Sequence, residues 1–157
     1  MNTYASQTTV DSSKSRAEIE RTLSRYGATG FMYGWDQTRA IVGFIAGNRQ
    51  VRFSLPLPDR SAREFTHTPT RGEKRTPAAQ QAAYEQALRQ RWRALALVIK
   101  AKLEAVQDGI VTFDEEFGMH FLLPSGQTVG EWAIPQIATA YETGTMPRLL
   151  PPAGASE

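Results

Sequence analysis

Two clusters hold the side chains that could do chemistry. One is acidic: Asp114, Glu115 and Glu116 stand together, four residues before His120. Carboxylates beside an imidazole are the ingredients of general acid–base catalysis and of metal-assisted hydrolysis. Three adjacent carboxylates on a turn cannot all face one ion, however, and no spaced ligands accompany them. The cluster therefore reads as an acidic corner, or as an acidic partner for cations elsewhere. His67 stands alone in a threonine-rich loop. No GxSxG, HExxH or P-loop pattern occurs, and without cysteine there are no thiolate nucleophiles, thiolate metal sites or disulfides. The expectation is a non-enzyme with no catalytic residue, no metal and no cofactor.

The second cluster is basic. In RQRWRALALVIKAKLE, residues 89–104, five cations surround an apolar stripe. On a helical wheel Leu88, Trp92, Leu95, Ile99, Leu103 and Val106 gather on one side, as a core-facing stripe requires. Arg89, Arg93 and Lys100 fall on one flank, Arg91 and Lys102 on the other. No Asp or Glu lies between Glu85 and Glu104, so pairs four residues apart cannot neutralise these cations within the stretch. They need solvent, acids from elsewhere, or phosphates. Arg52 on an outward strand position and Arg71, Lys74 and Arg75 in a loop add to them. The whole chain is split in the same sense: residues 1–103 hold 17 Lys/Arg against 8 Asp/Glu, and residues 104–157 hold 1 against 8. Such asymmetry points either to a polyanion-binding portion or to two parts that attract each other.

Positioning these groups requires an α+β domain. Residues 1–14 are small and polar and predict an unstructured leader. Ser15 and Glu18 fit a capping box, with Ile19, Leu23 and Tyr26 at helical spacing and Gly27 as the stop. Three strands follow. Phe31, Tyr33 and Trp35 alternate with Met32 and Gly34; Arg39 to Ala46 is apolar enough to suggest burial on both faces; Gln50 to Leu55 alternates cleanly after a Gly47-Asn48 turn. Residues 59–75 predict a long basic loop. Thr76-Pro77 opens a helix that Gly109 ends. This α-β-β-β-α core, 15–108, has a three-stranded antiparallel sheet packed on the long helix. A C-terminal αβ extension over 109–144 follows: a short FDEEF piece, a strand at 119–123, and a helix that Pro135 must kink or restart. Residues 145–157 form a Pro-rich tail. The longest apolar run, ALALVI, is too short to span a bilayer, and the first residues carry no apolar segment of a signal peptide. Both predict a cytoplasmic protein with no membrane partner.

The segments RWRALALVIKAKLEAV, GIVTFDEEF and LPSGQTVGEW, with SRAEIERTLSRYG and QVRFSLPLP, resemble small proteins encoded by phages and prophages, notably of actinobacteria. The resemblance implies a mobile-element origin and a host-cell cytoplasm, and it supplies no catalytic residues. The order of helix, three strands and long helix is also similar to double-stranded-RNA-binding domains and the core of single-strand annealing proteins. A 17-residue loop after the third strand and the missing Gly-x-Gly and Lys-Lys-x-Ala-Lys signatures depart from that pattern. Element order carries fold and not function.

Two functions are expected on these grounds. The first is single-stranded DNA binding or annealing without catalytic chemistry. Arg52, Arg71, Lys74, Arg75, Arg89, Arg91, Arg93, Lys100 and Lys102 would meet phosphates, with Tyr33 or Trp35 as a base platform. The second is a protein-interaction module that binds a host or phage protein, or that self-assembles as a homo-oligomer through its acidic C-terminal third.

Overall fold

The computed structural model describes residues 3–146. The architecture is α+β, in the order α1 (Thr3–Arg25), β1 (Thr29–Trp35), β2 (Arg39–Ala46), β3 (Arg49–Pro56), α2 (Arg63–Thr66), α3 (Pro77–Gln107), α4 (Phe113–Phe117), a 3-10 turn (Gly118–His120) and α5 (Val129–Thr143). The Pro-rich tail expected over 145–157 lies, from residue 147 onward, outside the described residues.

The sheet is antiparallel in the order β1-β2-β3. Register places Tyr33, Val42 and Phe53 side by side, and Met32, Gly43 and Arg52 on the opposite face. Because strand side chains alternate, the first set is one continuous face. Ala40, Val42, Phe44, Val51 and Phe53 are buried there, in one core with Ile19 and Leu23 of α1 and with Tyr84, Leu88, Trp92, Leu95, Ile99 and Leu103 of α3. The predicted stripe of the long helix is thus the central contact, with Val106 partly buried at its end. The C-terminal ends of α1 and α3 meet where the Tyr26 hydroxyl donates to Gln107 at 2.6 Å.

The helices cover one face of the sheet only. The dense apolarity of β2 had suggested burial on both faces, yet Ile45 is exposed and Ile41 only half-buried. Gly43 is shielded on that open side by the methionine opposite it: a Cβ there would lie 3.5 Å from Met32 Cε.

The first helix begins at Thr3, so the segment expected to be an unstructured leader continues it. Once Ile19 and Leu23 anchor the later turns, each further residue adds a backbone bond without a new nucleation cost. Ser15 is inside the helix and does not cap it. The long basic loop is also more ordered than its composition suggested. Phe65 of α2 is buried and meets the Tyr84 ring edge-on at 5.7 Å. A small hairpin then closes through a His67–Lys74 bridge, with Thr68 N–H donating to the Glu73 carbonyl at 2.8 Å.

The long helix starts and stops as its sequence dictates. Thr76 accepts from Ala79 N–H, Pro77 occupies the first turn, and Gly109 leaves with φ 72°. Beyond it, α4 opens on a capping box between Thr112 and Glu115. Its Phe117 is fully buried, edge-on to Phe44 and Phe53, each at 6.2 Å. In place of a strand at 119–123 the chain makes isolated bridges, Val51 to Phe121 and Leu122 to Thr128. The helix α5 does not restart at Pro135; it runs through it as one element.

Candidate functional site

The basic residues divide into three groups. The first group is occupied by acids from the C-terminal third. Arg52 projects from β3 onto the open face of the sheet, where its guanidinium meets Glu131 Oε2 at 2.8 Å and donates to the Gly126 carbonyl at 3.1 Å. Lys102 pairs with Glu116 at 3.0 Å, and Arg49 with Asp114 at 3.3 Å. The second group belongs to the hairpin. Arg71 and Lys74 are exposed on it, while Arg75 is half-buried with Nε donating to the His67 carbonyl at 3.2 Å. The third group is on α3. Arg91 donates to the Pro56 carbonyl at 2.7 Å, at the end of β3. Arg89, Arg93 and Lys100 are exposed along the other flank. Arg52 stands on the opposite side of the sheet from α3, so the nine cations do not form one strip.

The two aromatics named as a base platform sit on the helix-covered side of β1. Tyr33 is half-buried, its hydroxyl donates to the Arg16 carbonyl at 3.2 Å, and burial pushes its phenol up to about 12. Trp35 is 66% exposed at the end of the strand, with the Arg16 guanidinium 5.9 Å from its ring. Neither faces the open side of the sheet.

The acidic cluster resolves into three separate structural tasks. Asp114 reaches Arg49, Glu116 reaches Lys102, and Glu115 caps α4 by accepting from Thr112 N–H at 2.7 Å. That hydrogen bond holds the Glu115 carboxyl below the usual carboxylate range. His120 stacks on Phe53 with ring centres 4.1 Å apart. Burial first, and the Lys102 charge second, push its imidazole below the ordinary histidine value. Among the described residues no three or more His, Asp or Glu converge on a place for a metal ion, and no helix is long and apolar enough to cross a membrane.

The helix expected from the Thr128–Glu131 capping pattern is α5; what sequence reasoning passed over is how little of it is covered. Only Gly130 of its 15 residues is buried. Its N-terminus is fixed by a capping box: Glu131 N–H donates to Thr128 Oγ1 at 3.1 Å and Thr128 N–H donates back to Glu131 Oε2 at 2.8 Å. The Thr128 amide, then Arg52 and Arg39, keep the Glu131 carboxyl below its usual range. Gly130 allows the helix to approach the 3-10 turn, since a Cβ there would sit 3.0 Å from the Met119 carbonyl oxygen. From that pivot the helix leaves the body with Trp132, Ile137, Tyr141 and Met146 uncovered. With Ala133 and Ala140 they line a groove of about 840 Å³. The spacing of GEWAIPQIATAY already carries this signal, because Ala133, Ile137, Ala140 and Tyr141 fall within about 100° of one another on a helix, with Trp132 to one side of them. What the spacing does not disclose is that no part of the described body covers that side.

Comparison with known proteins gives no match: no family model, curated protein or solved structure is similar to the chain.

Proposed function

We propose that this chain is a protein-interaction module whose working surface is the apolar side of α5. The observation that carries the reading is a capped, oriented helix presenting Trp132, Ile137 and Tyr141 to solvent. Contiguous exposed apolar surface of this kind, rimmed by polar residues, marks a protein or ligand contact. An amphipathic helix laid into an apolar groove is a recurrent mode of protein recognition, read out by anchors at spacings of three and four. The partner classes are a host or phage protein, in keeping with the resemblance to phage-encoded proteins, or another copy of the chain. No residue is assigned a catalytic role.

Tagged chain and its Ile137→Arg variant are compared for bound protein after nuclease treatment. Ile137 is exposed, so the change leaves the core intact. Protein bound by the unaltered chain, foreign or its own second copy, is lost from the variant. Equal recovery by both, or no recovery by either, overturns the reading.

Nucleic-acid binding is the second reading, favoured by exposed cations: Arg71 and Lys74 on the hairpin, and Arg93 and Lys100 along α3. A gel shift with single-stranded DNA tests it at about 50 mM salt, where phosphate contacts are strong, and again at about 200 mM, where they weaken steeply. Absence of a shift at the lower salt removes this reading, including annealing.

A further inference from the structure

We infer that His120 is an acid-sensitive pin for α5: its ring holds the turn that carries the helix against the core, and protonation of the ring loosens both. The inference rests on the interaction reading above and adds how that surface is regulated. Among the described elements, the 3-10 turn Gly118–His120 is the one on which α5 chiefly packs. The helix meets this segment on both sides of the histidine. Before it, the Met119 carbonyl oxygen is so near Gly130 that a Cβ there would lie 3.0 Å away. After it, the Phe121 carbonyl accepts from Val129 N–H at 2.9 Å, while Leu122 N–H donates to the Gln50 carbonyl of β3 at 2.8 Å. Between these contacts the His120 ring stacks on buried Phe53, with 4.1 Å between ring centres. Met119, His120 and Phe121 therefore meet α5 through their backbone and the core through an imidazole.

That position suits a neutral ring and not a charged one. An imidazolium there is half-buried and stands near the Lys102 ammonium of α3; lost hydration and like charge both oppose it. The other charges around the turn do not offset this. Glu116 of α4 attracts an imidazolium, but it is engaged by Lys102 at 3.0 Å. From β3, Arg49 is held by Asp114 and lies over the Phe121 ring. Arg52 is on the opposite face of the sheet, paired with Glu131 of α5. Proton uptake is therefore most favourable when His120 leaves the Phe53 ring for water. The turn then keeps buried Phe117 before it but loses the side chain next to the Phe121 carbonyl that Val129 depends on. The folded value lies below the ordinary one, so the pin is fully in place above about pH 6.5 and is lost as pH falls through the lowered value.

Hydrogen exchange on the full chain tests this from about pH 7.5 to about pH 5, across the histidine range. Rates are read as protection factors, which removes the intrinsic pH dependence of exchange. The Leu122 and Val129 amides report the turn and the start of α5. Their protection is expected to be level above about pH 6.5 and to fall below it, by at most about tenfold per pH unit, the limit for one proton taken up on opening. His120→Gln is expected to abolish the fall. Lys102→Met removes the like charge and leaves Glu116 to attract the imidazolium, so its fall is expected to be smaller and to level off at higher pH. Circular dichroism checks that each variant is folded, and Lys102→Met decides if His120→Gln is not. Flat protection in the unaltered chain overturns the pin, as does a fall of undiminished size in either folded variant. Exchange is read on the chain alone, so the two readings fail separately. A flat profile leaves the interaction reading standing, and a chain that captures no protein yet shows the expected profile loses that reading and keeps the pin.

Discussion

Replacing Thr128 with alanine isolates what holds α5 in place. Burial contributes little, since Gly130 is the helix's only buried residue. A helix of 15 residues alone in water is marginal, and Pro135 removes one of its internal bonds. Its order therefore depends on its ends: the capping box at Thr128 and Glu131, the Arg52 contact, and Gly144 at the C-terminus with φ 68°. Thr128→Ala removes the oxygen that accepts from Glu131 N–H at 3.1 Å, and loss of such a cap costs about 1 kcal/mol. That is about a fivefold rise in the local opening constant. Hydrogen exchange on dilute protein reads this directly. Amides of 133–143 are expected to exchange about fivefold faster in the variant, while those of 92–103 in α3 open only with global unfolding and stay unchanged. Amides of α5 that are as slow as those of α3 in the dilute unaltered chain would refute the reasoning, because they would require burial the fold does not provide. Equal acceleration of both helices would refute it too.

Other perturbations follow from the same contacts. Phe117→Ala empties the site between Phe44, Phe53 and Phe113 and is expected to cost about 3–5 kcal/mol, seen as a lowered urea midpoint or a fall in Tm of about 10 °C. Lys102→Met keeps the stem against the Phe117 ring but strands Glu116; a loss of about 1 kcal/mol is expected, and a larger loss from Glu116→Ala than from the lysine change would argue against a mutual pair. His120 titrates below the ordinary histidine value in the folded chain, so the unfolded chain takes up its proton first as pH falls. Its contribution is complete above about pH 6.5 and is lost as the pH drops through the lowered folded value. His120→Gln should flatten urea stability across that window, and an unchanged slope would place the pH dependence elsewhere.

How legible this was in the sequence depends on whether the deciding information was local. Helix α3 was readable almost to the residue, since Thr76, Pro77 and Gly109 signal its ends chemically and its stripe repeats at steps of three and four. The Gly47-Asn48 hairpin and the β3 alternation were equally local. The hidden helix α2 was not: a four-residue element gives no period, and only the burial of Phe65 against Tyr84 makes it hold. The two-sided apolarity of β2 was visible but ambiguous, because an exposed apolar strand face and a second covering layer have the same composition. The cations were legible as a set, and their grouping was not. Arg52 and Arg91 carry the same side chain, yet one is fixed by Glu131 across the sheet and the other by the Pro56 carbonyl. Pairing across 79 or 35 residues is tertiary information.

The charge split, which suggested either a polyanion or internal attraction, divides between the two sides of the molecule. Around β3 and α4 it is internal: Arg49, Arg52 and Lys102 each meet an acid from beyond residue 113. These contacts are partly exposed and individually worth little, so their consequence is placement. They tie α4 and the start of α5 to β3 and α3, and so fix the direction in which Trp132 and Ile137 leave the body. Along α3 it is internal in part: Lys102 meets Glu116 and Arg91 the Pro56 carbonyl, while Arg93 and Lys100 are exposed beside Leu97. The acids of the C-terminal third thus act within the chain, and Glu131 both caps α5 and ties its start to β3. Raising salt should therefore loosen the start of α5, seen as faster amide exchange over 131–135, before it affects the buried stripe of α3.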